Sequence, residues 1–406
     1  MEKEKLIIKN FGPIKDVELE LGRFNVLIGE QATGKSTIAK VLAVCRYFSY
    51  LIDNSELQPD PFYEGLIRWG LFEAVRSDTY IKYECSHYSF TAQLIVSHEE
   101  AIENPETGEP DVLEVERFKI ELNPKSVEFN TLISELNKLR PSPFQQITMD
   151  YQFRIPVSFY QNEVASVMDN PFYIPTERGL QSIFSLGKNS IQNISDSLFN
   201  QFARLDQITR PFKEETSIEP LDIVYKNENG KGFTKKINEN EYYSLANGAS
   251  GFQSTIPIVL LVKYYTEIKR KKKTFIIEEP ELNLFPVAQN KLIQYLVEKT
   301  MSYGNSILLT THSPYILTSL NNLMYAYQVG QKHKEKINEV IEEKYWINPV
   351  EVSAYLLRYD DDVKGIVQEN ILDKEGLIKA EKIDNVSTIL NTDFNAIMDI
   401  ELNIQK

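Results

Sequence analysis

The sequence predicts an α/β fold: a mixed sheet with a parallel core, helices on its faces, and an inserted α+β lobe. Three observations predict it. An apolar strand at 24–28 runs into a glycine-rich loop and then a helix. Two apolar runs of strand length, 274–277 and 306–310, bracket a helical stretch near 286–300, and strand–helix–strand alternation favours parallel neighbours. Between 51 and 170 the pattern changes to short alternating stretches broken by turn residues, as an insert would show.

Taken in order, residues 1–50 hold three strands around Leu6–Ile8, Val17–Leu21 and Phe24–Ile28, punctuated by Phe11-Gly12-Pro13 and Leu21-Gly22-Arg23. The insert at 51–170 carries strand patterns at 79–83, 88–96 and 115–122, a turn at 104–110, and a short helix at 131–139. Residues 171–325 resume with a buried strand near Tyr173 and helices to about 205. A hairpin at 221–225 and 233–237 follows, with 227–232 as its turn. A helix from 251 to 269 precedes the two apolar strands. Residues 326–406 form a smaller C-terminal region ending in a helix near 393–402.

Bulk properties narrow the function classes. With 42% hydrophobic and 25% charged residues, the 406-residue chain fits a globular protein with a large core and excludes a disordered or fibrous one. The charged start Met1-Glu2-Lys3-Glu4-Lys5 does not read as a signal peptide, and no apolar run reaches membrane length. Only Cys45 and Cys85 occur, in no zinc or disulfide pattern, so a reduced, cytoplasmic setting without a membrane partner is expected. A net charge of −14 argues against a dedicated DNA-binding module, although it leaves nucleic acid open as a partner. The basic run Lys269–Lys273 reads as a solvated connection before a buried strand.

Four motifs carry chemistry. Gly29-Glu30-Gln31-Ala32-Thr33-Gly34-Lys35-Ser36-Thr37 matches G-x-x-x-x-G-K-[ST]. In that pattern the glycines let backbone N–H groups curl around phosphate oxygens. Lys35 brings positive charge to the β- and γ-phosphates, and the Ser36 hydroxyl is a ligand for Mg²⁺. The second motif ends an apolar strand in Glu278-Glu279-Pro280-Glu281. If that strand neighbours the loop strand, Glu278 holds the metal shell and Glu279 orients and deprotonates water. Third, Thr310-Thr311-His312-Ser313-Pro314 sets a histidine at a strand end, where a γ-phosphate sensor would sit. Fourth, Asn247–Ser254 opens a helix with Ser250 as its N-cap and Gly251 in its first turn, an anion-binding arrangement.

The order of the four motifs resembles that of the ABC-type ATPases, and within them the SMC-like and OLD-like bacterial group named loosely as AAA family. Ala249-Ser250-Gly251-Phe252-Gln253 looks like the signature motif. Glu278 through Leu284 resembles Walker B plus the D-loop, with glutamate where aspartate is usual, and Thr310–Pro314 resembles the switch-histidine motif. Tyr173-Ile174-Pro175-Thr176-Glu177-Arg178 is similar to a strand segment of this bacterial subgroup, in the place of the Q-loop strand, with Gln181 the nearest glutamine. Glu177 and Arg178 read as a structural ion pair in preference to a catalytic role. The resemblance covers about 1–50 and 171–320.

What the resemblance implies is a homodimer, or higher homo-oligomer, with composite ATP sites. Lys35, Ser36, Glu279 and His312 of one subunit would face Ser250, Gly251 and Gln253 of the other across ATP and Mg²⁺. The expected role is the sensor or regulator ATPase of a bacterial antiphage system acting with a separate effector nuclease. A DNA-repair ATPase clamping DNA directly is the alternative.

Overall fold

The computed structural model describes residues 4–46, 61–103, 110–126, 171–180 and 196–379. The helices expected at 131–139 and 393–402, most of the turn at 104–110, and Gln181 lie outside them.

The N-terminal hairpin follows its alternation. β1 (Glu4–Phe11) and β2 (Ile14–Leu21) pair antiparallel, and Leu6, Ile8, Val17 and Leu19 all fall on the buried face. β3 (Phe24–Gly29) is buried at every residue, as a strand covered on both faces must be. It leads through the glycine-rich loop into α1 (Lys35–Arg46). Then come α2 (Pro61–Arg68), β4 (Tyr80–Glu84), β5 (Tyr88–Glu103), β6 (Pro110–Pro124) and β7 (Phe172–Ile174). α3 (Asp196–Thr209) precedes β8 (Thr216–Ile218), β9 (Ile223–Glu228), β10 (Lys231–Lys236) and β11 (Tyr243–Ser244), which form a small antiparallel sheet. α4 (Ser250–Lys263), β12 (Thr274–Glu278), α5 (Pro286–Ser302) and β13 (Ser306–Thr311) alternate as predicted, and a long helix that the sequence reading did not name, α6 (Pro314–Asn338), follows. β14 (Val352–Asp360) and β15 (Gly365–Asn370) follow.

One sheet of eleven strands dominates, in the order β6-β5-β4-β1-β2-β15-β14-β3-β13-β12-β7. From β14 to β7 neighbouring strands are parallel; from β6 to β2 they are antiparallel. α1 packs Ile38, Val41 and Leu42 on one face with Leu6 and Ile8. The opposite face of the parallel half is covered by apolar residues of α4, α5 and α6, among them Leu260, Leu296 and Leu320. Helices therefore flank the parallel core on both sides, and the predicted mixed sheet is present.

Three details differ from the sequence reading. The described strands of the insert do not stack as a separate layer: β4 pairs with β1 and carries the same sheet onward, which satisfies the edge that β1 would otherwise expose. The boundary drawn at 325 falls inside α6, and β14 and β15 fill the centre of the sheet between β3 and β2. Chain order says little about sheet order when connections are long. Finally, the hairpin turn is tighter than 227–232. Asn229 and Gly230 alone make it, both with positive φ (52° and 81°), the conformation that a two-residue hairpin with right-handed strands requires.

Candidate functional site

The parallel strands β3, β13 and β12 end at one edge, and their C-terminal ends carry the motifs. Thr311 lies level with Ile28, and Glu278 level with Thr310. The acidic strand is not the immediate neighbour of the loop strand, as the sequence reading supposed: β13 lies between them. Glu279 therefore meets the loop through His312, and the histidine becomes the link.

The loop itself is held by short-range contacts. Its curl needs left-handed backbone at Ala32 (φ 63°) and Gly34 (φ 76°). A side chain at Gly29 would meet the carbonyl oxygen of Leu357 at 2.4 Å, so only glycine fits where the two backbones touch. Thr33 Oγ1 donates to the Glu30 carbonyl at 2.8 Å. Lys35 is buried, and Nζ donates to the carbonyls of Gly29 (2.9 Å) and Glu30 (2.7 Å). Burial lowers its pKa, against the charges of Glu279, Glu281 and Glu278, which raise it. Glu30, Gln31, Ala32 and Ser36 are exposed on the rim, and Thr37 is half-buried in α1.

His312 joins loop and carboxylate. Its Nε2 lies 3.1 Å from Glu279 Oε1 and its Nδ1 3.5 Å from Lys35 Nζ. The tautomer with the proton on Nε2 satisfies both contacts, donating to Glu279 and accepting from Lys35. Glu279 has a left-handed backbone (φ 42°), an unfavourable conformation for a residue with a Cβ, which persists only where neighbours impose it. Its N–H donates to the Thr310 carbonyl at 2.8 Å, which fixes the start of the turn.

Glu278 points the other way and is almost fully buried. The Tyr173 hydroxyl donates to its Oε1, and the Thr176 N–H approaches Oε2 at 3.4 Å. Burial, together with the Glu278 charge, pushes the Tyr173 pKa well above 10.0, so the phenol keeps its proton and stays a donor. Glu281 is a third carboxylate of the turn. Its Oε1 accepts from Thr311 Oγ1 (2.6 Å) and from the His312 N–H (2.8 Å), so it holds the backbone of the histidine segment. Its Oε2 is buried with no hydrogen-bond partner among the described residues.

Arg178 does not form the ion pair with Glu177 that the sequence suggested. Glu177 accepts instead from Thr176 Oγ1. The Arg178 guanidinium is fully buried and spends its donors on carbonyls: Ser254 (2.7 Å), Pro175 (3.1 Å), Glu278 (2.7 Å) and Glu279 (2.6 Å). Desolvation brings its pKa down to about 10, although the carboxylates of Glu281, Glu278 and Glu279 oppose this. It therefore remains charged at neutral pH.

The start of α4 differs in register and in surroundings from expectation. Ala249, not Ser250, is the N-cap, and no side chain caps it. Ser250 is exposed in the first turn. Gly251 packs against the acidic turn, where a Cβ would meet the Asn283 carbonyl at 2.7 Å. Gln253 turns back on its own loop and donates to the carbonyls of Ala246 and Gly248, both at 3.1 Å. Within one chain, then, the loop, His312 and Glu279 come together, whereas Gly251 packs on Asn283 and Gln253 on its own loop.

The residue types suit a cation beside a nucleotide. Ser36 on the loop and Glu278 at the end of β12 carry hard oxygen atoms of the kind that Mg²⁺ takes, and Glu281 Oε2 is a buried acceptor without a partner among the described residues. Tyr173, Arg178 and Glu281 were not assigned site functions from sequence. The first two lie in the Tyr173–Arg178 segment, where polar residues cluster at the end of a buried strand, and that clustering is the signal that could have found them.

The chain matches the family described as AAA ATPase domain over residues 1–60 and 67–317. No curated protein matches the sequence. Among solved structures it is similar to an SMC head domain from Thermotoga maritima, at 11% identity and a TM-score of 0.42, covering 92% of this chain and 100% of that one. An SMC head bound to the C-terminal winged-helix domain of ScpA matches at 12% identity and a TM-score of 0.38, covering 91% and 98%. An SMC head with an extended coiled coil, bound to the C-terminal domain of ScpA from Pyrococcus furiosus, matches at 11% identity and a TM-score of 0.40, covering 99% of each. Among the described residues no helix is long and apolar enough to cross a membrane. With the family matched across most of its length and the phosphate loop, acidic turn and histidine meeting at one sheet edge, the chain belongs to the AAA ATPase domain family.

Proposed function

We propose that the chain binds Mg-ATP at the 29–37 loop and hydrolyses it at a composite site of the ABC type, in a head-to-tail dimer. The observation that carries this reading is the contact chain Lys35–His312–Glu279. It joins the residue that would meet the phosphates to the carboxylate that would activate water, within hydrogen-bond reach of one histidine.

Each residue then has a task. Exposed backbone N–H groups of the loop wrap the phosphates, and Lys35 exchanges its two carbonyl partners for phosphate oxygens. Ser36 and Glu278 would hold Mg²⁺, which would supply positive charge against the phosphates. Glu279 takes the proton of the attacking water, and His312, leaving Glu279, donates Nε2–H toward the γ-phosphate. Ser250, exposed in the first turn of α4, and Gly251 present a helix start to the nucleotide of a second copy. Gln253 supports that start through Ala246 and Gly248 rather than by touching nucleotide.

The cellular role we infer from the resemblance is that of a sensor or regulator ATPase in antiphage defence, with the nuclease on a separate effector chain. Phosphate release with Mg-ATP across protein concentrations, for wild type, Glu279→Gln and Ser250→Arg, tests the enzymatic part. More-than-linear dependence on concentration, with both variants inactive, supports the composite dimer site; a chain that does not bind ATP removes it. Glu279→Gln with ATP then serves as the trap for the partner. Capture of a nuclease supports the defence role, whereas stimulation by DNA with no protein captured favours direct DNA clamping.

A further inference from the structure

Arg178 touches the two parts of the site that would serve different nucleotides. Through Nη1 and Nη2 it grips the carbonyls of Glu278 and Glu279, and through Nε it grips the carbonyl of Ser254 in the first turn and a half of α4. The grip on Glu279 falls on the residue with the left-handed backbone. A buried guanidinium satisfied by carbonyls alone is expensive in desolvation, so its position is set by those acceptors as much as theirs is by it. Two further contacts follow the same path. Ser254 Oγ donates to the Leu282 carbonyl at 2.8 Å, and Gly251 packs directly on the Asn283 carbonyl. The start of α4 and the acidic turn are thus built as one piece, with a charged pin through it.

We propose that Arg178 is a positioning residue that couples the two ATP sites of the dimer: it makes the seating of α4 on the partner's nucleotide and the placement of Glu279 over the chain's own nucleotide a single event. The proposal rests on the composite-site reading above. Its physical content is simple. A shift of α4 pulls the Ser254 carbonyl, the guanidinium follows as a rigid planar fork, and the Glu279 carbonyl moves with it. Lysine at this position keeps a charge but offers one nitrogen, which cannot span three carbonyls on two elements.

Arg178→Lys and Ser254→Ala are to be compared with wild type by thermal unfolding, ATP affinity at low protein concentration, kcat, and the Hill coefficient for ATP. For Arg178→Lys the affinity stays within about twofold, kcat falls about tenfold or more, and the Hill coefficient drops from about 2 toward 1. Ser254→Ala moves the same quantities in the same direction by less. Without nucleotide, amide exchange at 250–256 and at 279–284 accelerates together in both variants. A folded Arg178→Lys with wild-type kcat and Hill coefficient overturns the coupling. So does one that loses kcat while cooperativity stays intact, since that is the mark of a merely structural residue. Ser254→Ala keeps its carbonyl and with it every Arg178 contact. Should Arg178→Lys not fold, Arg178→Gln, which keeps a hydrogen-bonding side chain without the charged fork, is therefore judged by the same criteria. A wild type lacking concentration-dependent turnover overturns the dimer reading itself, and the coupling between sites goes with it.

Discussion

The phosphate loop and the acidic turn sit two strands apart at the same edge of the sheet, yet they are held in opposite ways. The loop holds itself. Lys35 and Thr33 bond carbonyls no more than six positions away. The acidic turn is held from afar: Tyr173 and Arg178 reach Glu278 across 105 and 100 positions, and Ser254 reaches Leu282 across 28. A self-contained loop tolerates change elsewhere in the chain. A turn assembled from two remote segments responds to each of them, which makes it the natural place for control.

Breaking each side separately tests the contrast. The largest effects fall on the primary chemistry. Lys35→Met removes the charge that meets the phosphates, and ATP affinity is expected to fall over a hundredfold, about 3 kcal/mol, measured by equilibrium binding. Glu279→Gln removes the base instead: turnover falls by roughly 10²–10⁴ while ATP affinity is kept. If both variants lose binding equally, the separation of loop and turn into distinct tasks is wrong.

Tyr173→Phe probes the remote support. It deletes one hydroxyl that touches neither loop nor nucleotide but donates to the buried Glu278 carboxylate. Outer partners of metal ligands typically affect affinity by about 10–100-fold. The Mg²⁺ concentration for half-maximal turnover should rise by about that factor, with metal-free ATP binding unchanged. A Mg²⁺ titration that superimposes on wild type would mean that Glu278 is not a metal ligand.

The same contrast explains how far the sequence could be read. The loop was legible because the hydrogen bonds that Lys35 and Thr33 make to its carbonyls lie within G-x-x-x-x-G-K-S, and the strand and helix around it follow from local pattern. The parallel strands were legible as apolar runs. Their order was not: β13 separates β12 from β3, and β14 and β15 enter the centre of the sheet from the far end of the chain. Arg178 was misread for the same reason. Its nearest charge in sequence is Glu177, but its donors go to carbonyls, and carbonyls are invisible in a sequence because every residue has one. The tight hairpin turn was within reach, since Asn229-Gly230 is a recognised two-residue signal.

Gly251→Ala tests how closely α4 is seated on the turn. A methyl group there would lie 2.7 Å from the Asn283 carbonyl, and backbone cannot retreat as a flexible side-chain tip can. Overpacking of this kind costs about 1–3 kcal/mol, to be read from urea unfolding. Turnover should fall further than stability alone would explain, because the displaced turn carries Glu279. Unchanged stability would show that α4 and the turn have room to slide.

The smallest effect expected is a pH dependence that belongs to the loop alone. Burial holds the pKa of Lys35 below its ordinary value of 10.5. Well below that lowered pKa the ammonium is charged in both the folded and unfolded chains, and the full desolvation penalty weakens the fold. As pH rises toward 10.5 the folded chain releases its proton first. The unfolded chain then binds more protons, so stability increases with pH over this window. Lys35→Met lacks the titration altogether. The difference in unfolding free energy between wild type and variant, measured without nucleotide at a series of pH values, should therefore climb in favour of wild type on the alkaline side. No such slope is expected in the same comparison for Tyr173→Phe, whose effect acts through Glu278 and not through the lysine. A flat difference for Lys35→Met would mean that the two loop carbonyls compensate the buried ammonium fully, and that the loop is better prepared for its charge than burial implies.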